Sequence, residues 1–186
     1  MSVQIAKRWF TVAEYNRMSE TGILTEDDRV ELIEGEIVEM SPIGRRHAAC
    51  VDRLTELLSE RLQRKAIVRV QSPIVLNEYT EPQPDVALLR RREDFYERSL
   101  PTPADVLLVV EVADTTLDYD RQIKVPLYAR AGISEVWIVN LHDEQVEVYT
   151  RPAGGAYQDV RLRGRGEAMT SAEAPSLTLS VDEILG

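Results

Sequence analysis

Glu111 is the one polar residue in Val106-Leu-Leu-Val-Val-Glu-Val112. Read as a strand, this run puts residues 106, 108, 110 and 112 on one face and 107, 109, 111 and 113 on the other. A carboxylate at low dielectric is costly unless it is paired, protonated or bound to metal. A structural glutamate paired with a buried arginine would also meet that requirement. Asp85 opens a second apolar run, Asp85-Val-Ala-Leu-Leu89, directly after Pro84. Alone it is an ordinary turn aspartate. Together the two say more, because carboxylates at neighbouring strand ends repel one another and a hard cation such as Mg²⁺ or Mn²⁺ relieves that repulsion. Asp120-Arg121-Gln122-Ile123-Lys124 comes next. Asp120 and Lys124 have the spacing of an everyday surface ion pair on a helix. A helix folded back on the sheet would instead bring Lys124 over the strand end that holds Glu111. There an ammonium can orient an attacking water and offset charge on a phosphoryl oxygen.

These residues need a sheet and a crossover helix to position them. Thr11-Val-Ala-Glu14 is a capping box that opens a short helix ending near Gly22. Val30 to Met40 reads as a hairpin turning at Glu34-Gly35, an extension ahead of the main sheet. Val51, Leu54, Leu58 and Leu62 recur at helical spacing and predict a helix from about His47 to Lys65. Strands are expected over Ile67–Leu76, interrupted by Pro73, and over Asp85–Leu89 and Val106–Val112, the last central and covered on both faces. A helix from about Tyr119 to Ala131, kinked or restarted at Pro126, leads to the strand Glu135–Asn140 in a right-handed crossover. Gln145–Tyr149 and Tyr157–Leu162 supply outer strands, and Ser180-Val-Asp-Glu183 caps a last helical turn. The fold class is α/β: a mixed, half-parallel sheet flanked by helices, in a single domain spanning 1–186.

Composition limits the partners. Apolar residues make up 44% and charged residues 29%, an ordinary globular balance. No apolar run is long enough to span a bilayer, and the N-terminus lacks the apolar stretch of a signal peptide. One cysteine, Cys50, cannot form an internal disulfide, so a cytoplasmic setting is expected. A net charge of −10 argues against a protein that coats nucleic acid nonspecifically. Yet 19 of the 22 cations are arginine, the residue that forks onto phosphate. They gather at Arg45-Arg46, around Arg61, Arg64 and Arg69, at Arg90-Arg91-Arg92, and at Arg161, Arg163 and Arg165. Solvated surface is the plain explanation of any one such cluster.

Pro84-Asp85 followed by Glu111 resembles the PD-(D/E)XK nuclease pattern, whose third member would be a lysine at position 113. That position is Ala113. A narrower resemblance supplies the missing lysine. Glu31-Leu-Ile-Glu-Gly-Glu-Ile-Val-Glu-Met-Ser-Pro42, His47, Pro84-Asp85-Val86, Val110-Glu-Val112, Asp120-Arg121, Lys124, Tyr128-Ala-Arg-Ala-Gly132 and Val136-Trp137 follow in that order. This series is similar to the Uma family of restriction-endonuclease-like proteins, which draws its lysine from the helix after the glutamate strand. The resemblance runs from about residue 10 to residue 150. It implies a restriction-endonuclease-like fold and a metal-dependent endonuclease acting on nucleic acid, DNA in particular. In that family a glutamate at the place of Glu34 and the histidine matching His47 recur.

The expected roles follow. Asp85, Glu111 and Lys124 form the catalytic set, and Asp85 and Glu111, helped by Glu34, hold Mg²⁺ or Mn²⁺. His47, Gln71, Arg121 and Arg90 meet the substrate. Glu34 could equally be an exposed turn residue, His47 a helix N-terminal residue, and Gln71 a partner along its strand. The rival function is a binding or scaffold protein that keeps the fold without cleaving. A homodimer stays open.

Overall fold

The computed structural model describes residues 7–25 and 27–186. Helix α1 (Val12–Glu20) starts at the expected capping box, with Thr11 and Glu14 bonding each other's backbone N–H. The hairpin β1 (Val30–Ile33) and β2 (Glu36–Glu39) turns at Glu34 and Gly35, both at positive φ, the pattern of a two-residue primed turn. Gly35 has a second reason to be glycine: a Cβ there would lie 2.7 Å from Cβ of Trp9. Helix α2 (Arg45–Leu62) buries Cys50, Val51, Leu54, Leu58 and Leu62 along one stripe.

The main sheet has six strands in the order β3 (Ala66–Val70), β4 (Val86–Arg90), β5 (Val106–Ala113), β6 (Glu135–Asn140), β7 (Gln145–Ala153) and β8 (Ala156–Gly164). It is mixed, as expected, but not half parallel: β5 and β6 are its one parallel pair. The crossover between them runs through α3 (Leu117–Tyr119), a π-helical turn (Asp120–Lys124) and α4 (Val125–Ala131). Of the two outcomes expected at Pro126, the structure shows the restart: α4 begins at Val125 with Pro126 in its first turn, where a missing N–H is tolerated. The irregularity lies just before it, where the N–H of Val125 bonds the carbonyl of Asp120, five residues back. Strands β9 (Ala168–Thr170) and β10 (Thr178–Ser180) pair as a separate ribbon, and α5 (Val181–Leu185) closes the described chain. No helix among the described residues is long and apolar enough to cross a membrane.

Two cores sandwich the sheet. One face packs Leu88, Leu108, Val110 and Trp137 under α2, α5 and the β9–β10 ribbon. The other packs Ala87, Leu89, Val109 and Ile138 under α4 and the hairpin. The simple alternation expected for β5 fails at one point. Leu88 pairs with Leu108 but Leu89 pairs with Val106, so Leu107 bulges and joins the α2 core while Val106 turns to the other. Beyond the bulge the alternation holds, and Glu111 follows Val109 onto the α4 side. The expected strand Ile67–Leu76 stops at Val70, because Gln71 adopts a φ of 43°.

Candidate active site

The Asp85 and Glu111 carboxylates meet at one end of the β4–β5 pair. The backbone N–H of Asp85 donates to Oε2 of Glu111 (3.3 Å), and the N–H of Val112 donates to Oδ2 of Asp85 (2.8 Å). Lys124, carried by the π turn, enters from above. Its Nζ lies 3.3 Å from Oε1 of Glu111 and 3.4 Å from Oε2 of Glu31. Asp120 and Lys124 are therefore not a surface pair. Both are buried, and Asp120 accepts a hydrogen bond from the Thr116 hydroxyl (2.7 Å). The Tyr128 hydroxyl donates to Oε1 of Glu111 at 2.6 Å. His47, in the first turn of α2, places Nε2 2.9 Å from Oδ1 of Asp85. The Gln71 amide stands at 3.5 Å from the same oxygen. Glu31, His47, Asp85, Glu111, Asp120 and Lys124 line a cleft of about 490 Å³ whose rim is built from residues 38–44 and 114–120.

Glu31 belongs to this centre although its sequence context did not single it out. It is 2% exposed, and it accepts from the Gln83 N–H (3.1 Å) and the Tyr119 hydroxyl (3.2 Å). The signal was the one that marked Glu111, a lone carboxylate in an apolar strand, here Val30-Glu-Leu-Ile33. Glu34, by contrast, is not part of the centre. It sits exposed at the hairpin turn, 2.6 Å from Arg130, beside a different cleft. Two expected phosphate contacts are also elsewhere. Arg121 grips Glu147 with two guanidinium nitrogens, and Arg90 lies at the far end of β4, donating to the Ala104 carbonyl. The arginine that does line the cleft is Arg29.

Charge is unbalanced here: Glu31, Asp85, Glu111 and Asp120 surround one ammonium. Burial works against the Lys124 charge, but Glu111, Glu31, Asp120 and Asp85 outweigh it and hold the lysine protonated. The carboxylates cannot all be matched. Burial, opposed by Lys124 and reinforced by Asp120 and Asp85, pushes Glu111 up to about 8. Asp120 is likewise raised, by burial first, to about 6. Burial also raises Asp85, but the His47 hydrogen bond and charge and the Val112 N–H overcome it and keep Asp85 below the ordinary carboxylate range. The bond to Asp85 correspondingly raises His47.

The donor set suits a hard cation. Asp85 and Glu111 offer carboxylate oxygens from adjacent strands, and burial raises Glu111, a cost to its charged form that a cation would offset. No group of three His, Cys, Asp or Glu side chains is arranged around a common metal position among the described residues. Two carboxylates completed by waters and a substrate phosphate is the manner in which Mg²⁺ is commonly held. A thiolate–imidazole zinc site does not fit.

Comparison with known proteins agrees with this architecture. One solved structure, described as a putative nuclease belonging to DUF820 from Anabaena variabilis, superposes with a TM-score of 0.73. It is 17% identical in sequence, and the match covers 95% of this chain and 97% of that one, a likeness of fold. No curated protein matches the chain. The profile of the Uma2 family, described as "Putative restriction endonuclease", matches residues 12–182. With that match covering nearly its whole length, the chain belongs to the Uma2 family.

Proposed function

We propose that the protein is a Mg²⁺- or Mn²⁺-dependent endonuclease that hydrolyses phosphodiester bonds in DNA. The observation that carries this reading is the meeting of Asp85, Glu111 and Lys124 in one cleft that holds more carboxylates than cations. Asp85 and Glu111 would hold the ion. When bound, it supplies a water of lowered pKa and a counter-charge for the scissile phosphate.

The chain's own groups do the rest. His47 and the Val112 N–H keep Asp85 ionised and fix its direction. Tyr128 fixes Glu111 by donating to Oε1, and a bound cation would favour the charged form that burial disfavours. Lys124 stays charged throughout. Glu31 and Glu111 occupy one side of its ammonium, and the remaining donor capacity turns to the attacking water and to the phosphoryl oxygen as charge builds there. Arg29 at the rim takes an adjacent phosphate. The test is nicking of supercoiled plasmid with Mg²⁺, Mn²⁺ or EDTA, beside an Asp85→Ala control. Metal-dependent nicking by the wild type alone supports the reading, and metal-independent nicking or none at all rejects it.

One observation favours a second reading, a nuclease fold that binds without cutting. Lys124 is already engaged by two carboxylates, and neither Arg121 nor Arg90 faces the cleft. In that case nucleic acid would bind but never be nicked.

A further inference from the structure

Away from the site, where β4 ends and β3 begins, lies another cleft of about 530 Å³ lined by Leu62, Arg64, Ile67, Arg91 and Phe95. Phe95 is 52% exposed, and the Arg91 guanidinium stacks over its ring at 4.9 Å. Arg69 reaches the same turn, donating to the Phe95 carbonyl at 3.1 Å. Arg64, Lys65, Arg69 and Arg91 have no carboxylate partner among the described residues, in a chain of net charge −10. Their neighbours Arg61 and Arg92 are neutralised by Glu183 and Asp94.

The backbone here is strained as well. Eight non-glycine residues of the described chain have positive φ, and four of them stand on or beside this cleft: Gln63 (44°), Arg64 (68°), Phe95 (49°) and Tyr96 (63°). Such conformations cost free energy and persist where the surroundings enforce them. Charge on an edge strand can merely deter sheet-to-sheet pairing. That purpose calls for neither an exposed phenyl ring nor a strained turn that presents it.

The patch connects to the active site along one strand. β3 is an edge of the sheet, antiparallel to β4, and runs from Ala66 beside Arg90 to Gln71, whose N–H bonds the Asp85 carbonyl (3.0 Å). At ~3.3 Å per residue, Asp85 and Arg90 are about 17 Å apart along β4, the reach of a few nucleotides. Unpaired cations that follow a backbone, together with an exposed aromatic ring, are the chemistry that binds a single strand. A duplex keeps its bases stacked away from such a ring. Resting on the nuclease reading above, we infer that the open edge of β3 and the 91–96 turn hold an unpaired strand flanking the cleavage point, with Phe95 stacking on a base and Arg64, Lys65, Arg69 and Arg91 on phosphates.

The test is fluorescence anisotropy of a labelled 12-nucleotide oligothymidylate and of a blunt 12-base-pair duplex, in EDTA so that binding is separate from cutting. The wild type binds the single strand more tightly. Phe95→Ala weakens that binding roughly 5- to 100-fold with little effect on the duplex, and Phe95→Trp restores it. The triple variant Arg64→Ala, Lys65→Ala, Arg91→Ala lowers the slope of log affinity against log salt by about 2. Arg161→Ala with Arg163→Ala, on the opposite edge strand, leaves both readouts alone. Equal or tighter duplex binding, an unaffected Phe95→Ala protein or an unchanged salt slope overturns the inference. Plasmid nicking run in parallel keeps the two proposals apart. Metal-dependent nicking without single-strand selectivity overturns the β3 track and leaves the nuclease. Selective binding by a protein that nicks without metal, or not at all, overturns the metal-dependent nuclease reading and leaves the track.

Discussion

Lys124 ties the N-terminal hairpin to the central strand: its ammonium lies 3.4 Å from Glu31 on β1 and 3.3 Å from Glu111 on β5. Removing one partner of a buried ion pair leaves charge without compensation, at a cost of ~3–5 kcal/mol. Here the orphaned carboxylates can take up protons instead, so the loss depends on pH. Lys124→Ala is expected to lose stability on this scale at pH 8 and distinctly less at pH 5.5, as read by urea denaturation. It should also abolish nicking while largely keeping the thermal shift caused by Mn²⁺. A folded Lys124→Ala protein with full nicking activity would show that the lysine has no chemical role.

The two strand carboxylates should respond oppositely to neutralisation. Asp85 sits below the ordinary carboxylate range because His47 and the Val112 N–H favour its charge, so Asp85→Asn should destabilise the metal-free protein by ~1–3 kcal/mol. Glu111 is raised to about 8, so Glu111→Gln should leave the metal-free protein at least as stable as wild type at pH 8. Both should erase the Mn²⁺ shift. For the wild type that shift reaches ~2.7 kcal/mol at about 100 times the dissociation constant, or roughly 5–11 °C for a domain of this size. Paired melts in EDTA and Mn²⁺ decide it, and equal destabilisation by both substitutions would contradict the charge distribution described.

The metal-free protein should lose stability as pH rises from about 5 to 8. Glu111 and Asp120 have raised folded-state pKa values, about 8 and about 6, so in this window the folded state binds more protons than the unfolded one. The slope of unfolding free energy is then negative, approaching ~1.4 kcal/mol per pH unit for each such group between its unfolded and folded pKa values. His47, also raised, has the same sign. Below pH 4 Asp85, which is lowered, reverses the trend. Saturating Mn²⁺ should flatten the curve, and a metal-free stability that increases from pH 5 to 8 would rule this account out.

Glu31 and Glu34 stand three residues apart and should behave differently. Glu31→Gln, in the buried centre, is expected to lower both melting temperature and nicking. Glu34→Ala, at the exposed Arg130 pair, should leave nicking and the Mn²⁺ shift unchanged. Loss of the Mn²⁺ shift in Glu34→Ala would restore that residue as a ligand.

Much of this arrangement can be read from local pattern. The Thr11 capping box, the Glu34-Gly35 turn, the stripe of α2 and the apolar runs of β5 and β6 each carry a short-range signal strong enough to place them. What the sequence hides is long-range. The lone carboxylate of Val30-Glu-Leu-Ile33 is visible, but a strand of only four residues does not tell which face is covered, and it is Tyr119 of α3 that meets Glu31. Arg121 looks like any helical cation until Glu147, on β7, proves to be its partner. The three-residue strands β9 and β10 have no periodicity to detect. The bulge at Leu107 depends on the register of the neighbouring strand and leaves no mark in its own residues.

The π turn at Asp120–Lys124 gives the crossover helix one residue more than an α-helical path would hold. The segment before it answers to the hairpin, through Tyr119 and Glu31, while the segment after it answers to the sheet, through Tyr128 and Glu111. A regular helix advances every later side chain by the same ~100° per residue, so its two halves could not be aimed independently. The surplus residue absorbs the mismatch in a single wide turn, and Lys124 stands at its end. Deleting one residue there would yield a better helix pointing the wrong way: either the tyrosines or the ammonium would have to leave its partner. Imperfect helical geometry is thus what lets one continuous segment reach two layers of the fold at once.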